Sequence, residues 1–104
     1  IRSGLDILLK EAGVSVEEVD QVIVAGAFGT YISIQNAIEI GMFPDISTEK
    51  FHQVGNAAGM GAVQALVSRI NREAIKDTIR QVDYIELTTH SEFQNVFMQA
   101  MYLL

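Results

Sequence analysis

Gln21-Val-Ile-Val-Ala-Gly-Ala-Phe-Gly29 decides the reading of this chain. Val22, Ile23 and Val24 form a β-branched run of the kind found in buried strands. Gly26 and Gly29 follow at once, with Ala27 and Phe28 between them. Ser33 then precedes Ile34-Gln-Asn-Ala-Ile-Glu-Ile40, which has helical spacing behind an N-cap residue. The unit is therefore strand, glycine turn, helix. In open α/β sheets, ligands gather at the carboxyl ends of strands. Glycines there let a ligand reach the backbone because no Cβ intervenes. The same glycines also suit a plain tight turn, and the residues alone leave both readings open.

A second glycine-rich stretch, Gly55-Asn-Ala-Ala-Gly-Met-Gly-Ala62, runs into Val63-Gln-Ala-Leu-Val-Ser-Arg-Ile70. The spacing predicts a helix from about Asn56, with Gly55, Ala58, Gly59, Ala62 and Ala65 as a strip of small residues. Glycine inside a helix costs about 1 kcal/mol relative to alanine, and Gly59 and Gly61 both carry that cost. Two causes fit: close packing on another backbone, or approach of a ligand to the helix N-terminus. The stricter motifs are absent. Gln64 stands where a dinucleotide fingerprint needs its third glycine, and no Gly-Lys-Ser/Thr occurs.

Composition narrows the rest. The 104 residues suffice for one domain, and the 49% hydrophobic content with a single proline marks a folded chain. A net charge of −6 without a basic patch argues against nucleic acid and anionic membrane surfaces as partners. Cysteine is absent, which removes disulfides, thiolate chemistry and cluster ligation by this chain, and fits a reducing, cytoplasmic compartment. No apolar run is long enough to span a bilayer. The chain opens on Ile1-Arg-Ser and closes on apolar Met101-Tyr-Leu-Leu104, so it reads as a fragment of a longer protein.

The remaining elements follow from periodicity. Ile1, Leu5, Leu8, Leu9 and Ala12 predict a first helix ending at Gly13. Ser15-Val-Glu-Glu18 is a capping-box pattern, Gly41 ends the helix behind Ser33, and Phe51-His-Gln-Val54 alternates as a short strand. The apolar phase shifts between Ile70 and Ile75, which predicts a kink or break at Asn71. Val82-Asp-Tyr-Ile-Glu-Leu87 alternates like a third strand. Thr89-His-Ser-Glu92 is a second capping box opening the last helix. There Phe93, Phe97 and Met101 are expected to pack inward on the strand 82–87. Met98, Tyr102 and Leu103 are expected on an outer apolar face. His52 and His90 stand at no metal-ligand spacing, and His90 reads as a solvated residue in a cap. No catalytic dyad or triad is visible.

Three blocks resemble the C-terminal part of the reductive activators of corrinoid proteins. They are Val22 to Asp45, Val54-Gly-Asn-Ala-Ala-Gly-Met-Gly-Ala62, and Tyr84-Ile-Glu-Leu87 with the Phe93 to Met101 helix. The resemblance implies an ATP-dependent protein that returns an inactive corrinoid methyl-transfer protein to the cob(I) state. It also implies magnesium with the nucleotide, and an iron–sulfur cluster in a separate upstream domain. By this resemblance Gly26, Ala27, Phe28 and Gly29 occupy the adenosine-binding turn, and Gly55, Asn56 and Gly59 lie on a helix at the nucleotide cleft. Ala27 departs from the two adjacent glycines common in that turn. The phosphate loops and the catalytic carboxylate would lie upstream.

The expected fold is therefore α/β: a small sheet of two or three strands with helices packed on it. It would be the C-terminal subdomain of an actin-like (RNase H-like) ATPase, joined to an upstream ATPase subdomain. The chain alone is expected to hydrolyse no ATP and to bind no cofactor. A rival reading makes it a dimerisation or partner-docking module without a ligand of its own.

Overall fold

The computed structural model describes residues 1–102. The chain forms two compact units. The first comprises Ile1–Ile23, Ile32–His52 and the segment from Ile85 onward; the second comprises Val24–Tyr31 and Gln53–Tyr84. Strands β1 (Val22–Ala25) and β2 (Phe51–Val54) pair as a two-stranded parallel sheet.

In the first unit, α1 (Arg2–Ala12) packs against α6 (Phe93–Ala100), the last of six α-helices among the described residues. The buried side of α1 is Ser3 and Ile7, one helical turn apart, with Ile7 only 1% exposed. This corrects the expected apolar face, since Leu8 is 49% exposed. A small Ser3 and an open Gly4 let neighbours come close; a Cβ on Gly4 would stand 3.4 Å from Leu87 Cδ1. Ala37, Phe43 and Ile46 complete the buried apolar set. Phe43 stacks on Phe51 with ring centroids 5.5 Å apart. Arg2 joins Asp6 at 2.9 Å and reaches the Phe43 carbonyl at 3.4 Å. Helix α3 (Ile34–Glu39) starts as its sequence dictates, with Ser33 Oγ accepting from the Asn36 N–H. Gly13 and Gly41 end α1 and α3 with positive φ.

Two expectations for the C-terminal part are overturned. Residues 82–86 have no regular secondary structure, and the sheet of the described residues holds β1 and β2 alone. Alternation marks an extended backbone, but a strand also needs a neighbour to share its ladder of hydrogen bonds. In α6 the inward side is Phe93, Val96 and Ala100, while Phe97 is 47% exposed and Met101 is exposed. Phe97 lies about 100° around the helix from Val96, so it stacks on Phe93, with ring centroids 5.6 Å apart and planes 27° apart, instead of filling the interior. Met98 and Tyr102 are exposed, as expected of the outer face. Leu103 falls outside the described residues.

In the second unit, β1 leads directly into a short helix, α2 (Gly26–Tyr31), where a plain turn was expected. Helices α4 (Ala57–Val67) and α5 (Arg69–Ile79) then pack on each other. The break falls at Ser68, three residues before the expected Asn71. Ser68 is extended (φ −130°, ψ 118°) and its side chain caps α5 by accepting from the Asn71 N–H at 3.2 Å. Arg72 reaches back to the carbonyls of Ala65 and Leu66, at 2.9 and 3.4 Å, and satisfies the end of α4.

Candidate functional site

The expected site residues all belong to the second unit, at the carboxyl ends of β1 and β2. One hydrogen bond joins the two glycine stretches: the Gly26 N–H donates to the Gly55 carbonyl at 2.8 Å. The same carbonyl accepts from Ala57 N–H at 2.8 Å, so Gly55 holds both the start of α2 and the start of α4.

Each glycine has a different reason for being there. Gly26 has φ +90°, a conformation that L-residues with a side chain rarely adopt. A Cβ built on it would meet nothing within 4 Å, and the same holds for Gly55. The two positions thus leave bare backbone facing open space. Gly29 is buried and answers to packing: its Cβ would lie 2.6 Å from Val24 Cγ1 and 3.1 Å from the Val24 carbonyl oxygen. Gly29 therefore lets α2 fold back onto the strand that precedes it. Gly59 answers to the cap. Asn56 Oδ1 accepts from the Gly59 N–H at 2.9 Å, and a Cβ at 59 would press on the Asn56 amide, 2.8 Å from Cγ.

Two further contacts and a concavity shape the site and were not expected. The Gln53 side-chain amide donates to the Gly29 carbonyl and ties β2 to α2. The Thr30 hydroxyl donates to the Gly26 carbonyl at 3.3 Å. Beside Asn56 and Gly59 opens a concavity of about 570 Å³, lined also by Met60, Val63 and Gln64. A polar residue at the end of a strand, as Gln53 is, was the available signal for the first. Ala27 and Phe28 sit exposed on α2, with Phe28 64% exposed.

The chemistry on offer is that of binding. Residues 26–31 and 53–64 contain no carboxylate, histidine, lysine or arginine. Their polar groups are backbone, amides, the Thr30 hydroxyl and the Tyr31 phenol, beside the apolar ring of Phe28. Such a surface offers hydrogen-bonding groups beside an aromatic ring and carries no fixed side-chain charge. No group of three or more His, Cys, Asp or Glu side chains able to hold a metal occurs among the described residues. No helix of the described residues is long and apolar enough to cross a membrane.

Comparison with known proteins gives one answer from three directions. Residues 1–104 match the family described as the C-terminal domain of RACo, the ASKHA domain. The chain is 33% identical over 98 residues to the corrinoid activation enzyme RamQ of Eubacterium limosum, covering 94% of this chain and 16% of RamQ. It superposes with a TM-score of 0.88 on a solved reductive activator for corrinoid, iron–sulfur protein, at 38% identity. That match covers 99% of this chain and 16% of the other. The chain thus spans about one sixth of the length of both relatives. With a two-stranded parallel sheet, its flanking helices and a family match over its whole length, the chain belongs to the C-terminal ASKHA domains of the corrinoid reductive activators.

Proposed function

We propose that this chain forms the adenosine-facing part of the nucleotide cleft in an ATP-dependent reductive activator. That protein would return an inactive corrinoid protein to its cob(I) state. The observation that carries the reading is the joined pair Gly26 and Gly55, linked at 2.8 Å, each with open space where a Cβ would stand. Bare backbone at the carboxyl ends of two parallel strands is what an approaching nucleoside requires. The absence of charged side chains from residues 26–31 and 53–64 supports a role toward the base and ribose over one toward the phosphates. In this reading Gly26 and Gly55 set the depth of approach, Phe28 offers an apolar wall, and Gln53 and Thr30 keep α2 in place. ATP with magnesium supplies the driving force when bound. The phosphate-binding and cluster-bearing parts belong to the rest of the longer protein, and a corrinoid protein is its partner.

Gly55→Val in the full-length protein tests this. A Cβ at this position meets nothing within 4 Å and Gly55 does not have positive φ, so folding should be nearly unchanged. ATP affinity measured by calorimetry should fall about tenfold or more, or ~1.4 kcal/mol. Gly61→Ala serves as the control. It also meets open space, lies inside α4, and should keep wild-type affinity while stabilising the helix by about 1 kcal/mol. A folded Gly55→Val protein with unchanged affinity would make Gly55 a structural residue only.

A further inference from the structure

The helices of this chain present two kinds of surface. In the first unit, charged groups tie α1 to the segment before α6: Lys10 holds Glu92, and Glu11 meets His90 at 2.8 Å. The His90 side chain is only 15% exposed, which corrects the expectation of a solvated residue. In the second unit, α5 carries Arg69, Arg72, Glu73, Lys76 and Asp77, as a helix with a solvated side does. Helix α4 is of another kind. From Gln53 to Ser68 there is no charged residue, and none of the residues of α4 is buried. Met60, Val63, Leu66 and Val67 are between 58% and 78% exposed. At about 100° per residue they fill roughly a third of the helix circumference. Ile70, 83% exposed, continues the apolar run beyond Ser68. Helix α5 packs on α4 and leaves these side chains open. A helix apolar on every side belongs in an interior.

We propose that this face of α4 is an internal interface, covered in the full-length protein by the part of the same polypeptide that precedes this domain. Three observations select that occupant. The chain spans 16% of each relative, so about five-sixths of such a polypeptide lies outside it. A covalently joined segment meets the face at a high effective concentration, which a second copy or a separate protein does not. The face also lacks charge altogether. Partners that come and go keep a polar rim, and charge steers their encounter, whereas permanent interfaces resemble a domain core cut in half. A lipid surface fits no better, since helices lying on membranes carry Lys and Arg on their polar side and α4 has neither.

The interface adjoins the candidate site. Met60 and Val63 belong both to the apolar face and to the concavity beside Asn56 and Gly59. A segment seated on them gives that concavity a further wall. Helix α4 then meets the candidate site with its first turn and the rest of the protein with its body. The face itself rests on the exposed apolar residues and the family assignment, and is independent of nucleotide binding.

Hydroxyl-radical footprinting of the purified full-length protein, without nucleotide, tests the interface. At a dose that oxidises Met60 and Leu66 in a proteolytic digest, the folded protein should lose modification at both, before and after dilution. The second arm places p-benzoylphenylalanine at Gln64, one turn from Met60. Irradiation should cross-link it to a peptide upstream of Ile1, at the mass of a single polypeptide. Oxidation of Met60 and Leu66 as in the digest, or protection that disappears on dilution, would overturn the proposal. So would cross-linking at the mass of two copies, only to an added corrinoid protein, or to residues 1–52 or 85–102. If the cross-linking variant does not fold, the wild-type footprint decides alone. Because no nucleotide is present, failure here is distinct from failure of the adenosine reading.

Discussion

Ile7→Ala will destabilise the domain by about 2–5 kcal/mol, the range for truncating a fully buried aliphatic side chain. Ile7 is 1% exposed and is the largest fully buried side chain of the described residues. It is buried on α1, the helix that packs against α6, with the buried Ser3 one turn away. Leu8→Ala, one residue on, should cost about 1 kcal/mol or less, because half of that side chain is already in water. Denaturant unfolding followed by circular dichroism measures both. Equal losses at the two positions would show that the packed face of α1 has been misassigned.

Gly29→Ala will cost about 1–3 kcal/mol, the range for forcing extra volume into a packed interior. The added methyl would stand 3.1 Å from the Val24 carbonyl oxygen and 3.2 Å from its carbon, so the main chain of β1 or α2 has to move. A flexible side-chain tip could yield at little cost; a strand backbone cannot. The shift also carries Ala27 and Phe28 with it and stretches the Gln53 contact to the Gly29 carbonyl. The full-length variant should therefore lose thermal stability and nucleotide affinity together. This differs from Gly55→Val, which should lose affinity alone. A Gly29→Ala protein as stable as the wild type would mean that α2 does not rest on Val24.

Much of the site was legible because its signals are local. A β-branched run followed by two glycines specifies where a strand ends, and Ser33 and Asn56 announce helices by a side chain that accepts from a backbone N–H three residues on. The pairing of Gly26 with Gly55 was not legible, since it depends on which strand lies beside which. The same limit explains Val82 to Leu87: the alternation is present, but no strand of the described residues pairs with it. It explains α1 as well. Periodicity reports which side of a helix is richest in apolar residues, whereas burial is decided by the surroundings, and here a serine and an isoleucine are the buried pair. The break at Ser68 was displaced toward Asn71 because the phase of the apolar residues changes only after the new helix has begun. The exceptional position is Gly26, where φ +90° adds a backbone requirement to the ligand argument. Gly26→Val would disturb fold and affinity at once, against the separation that a simple turn would allow.

The central claim is that the Gly26–Gly29 and Gly55–Gly59 edges face adenosine. Photolabelling of the full-length protein with 8-azidoadenosine triphosphate, followed by peptide mapping, tests it most directly. Label protected by excess ATP should appear in peptides containing residues 26–31 or 53–64. ATP-protected label confined to other parts of the protein, with both of these peptides clean, would contradict the account.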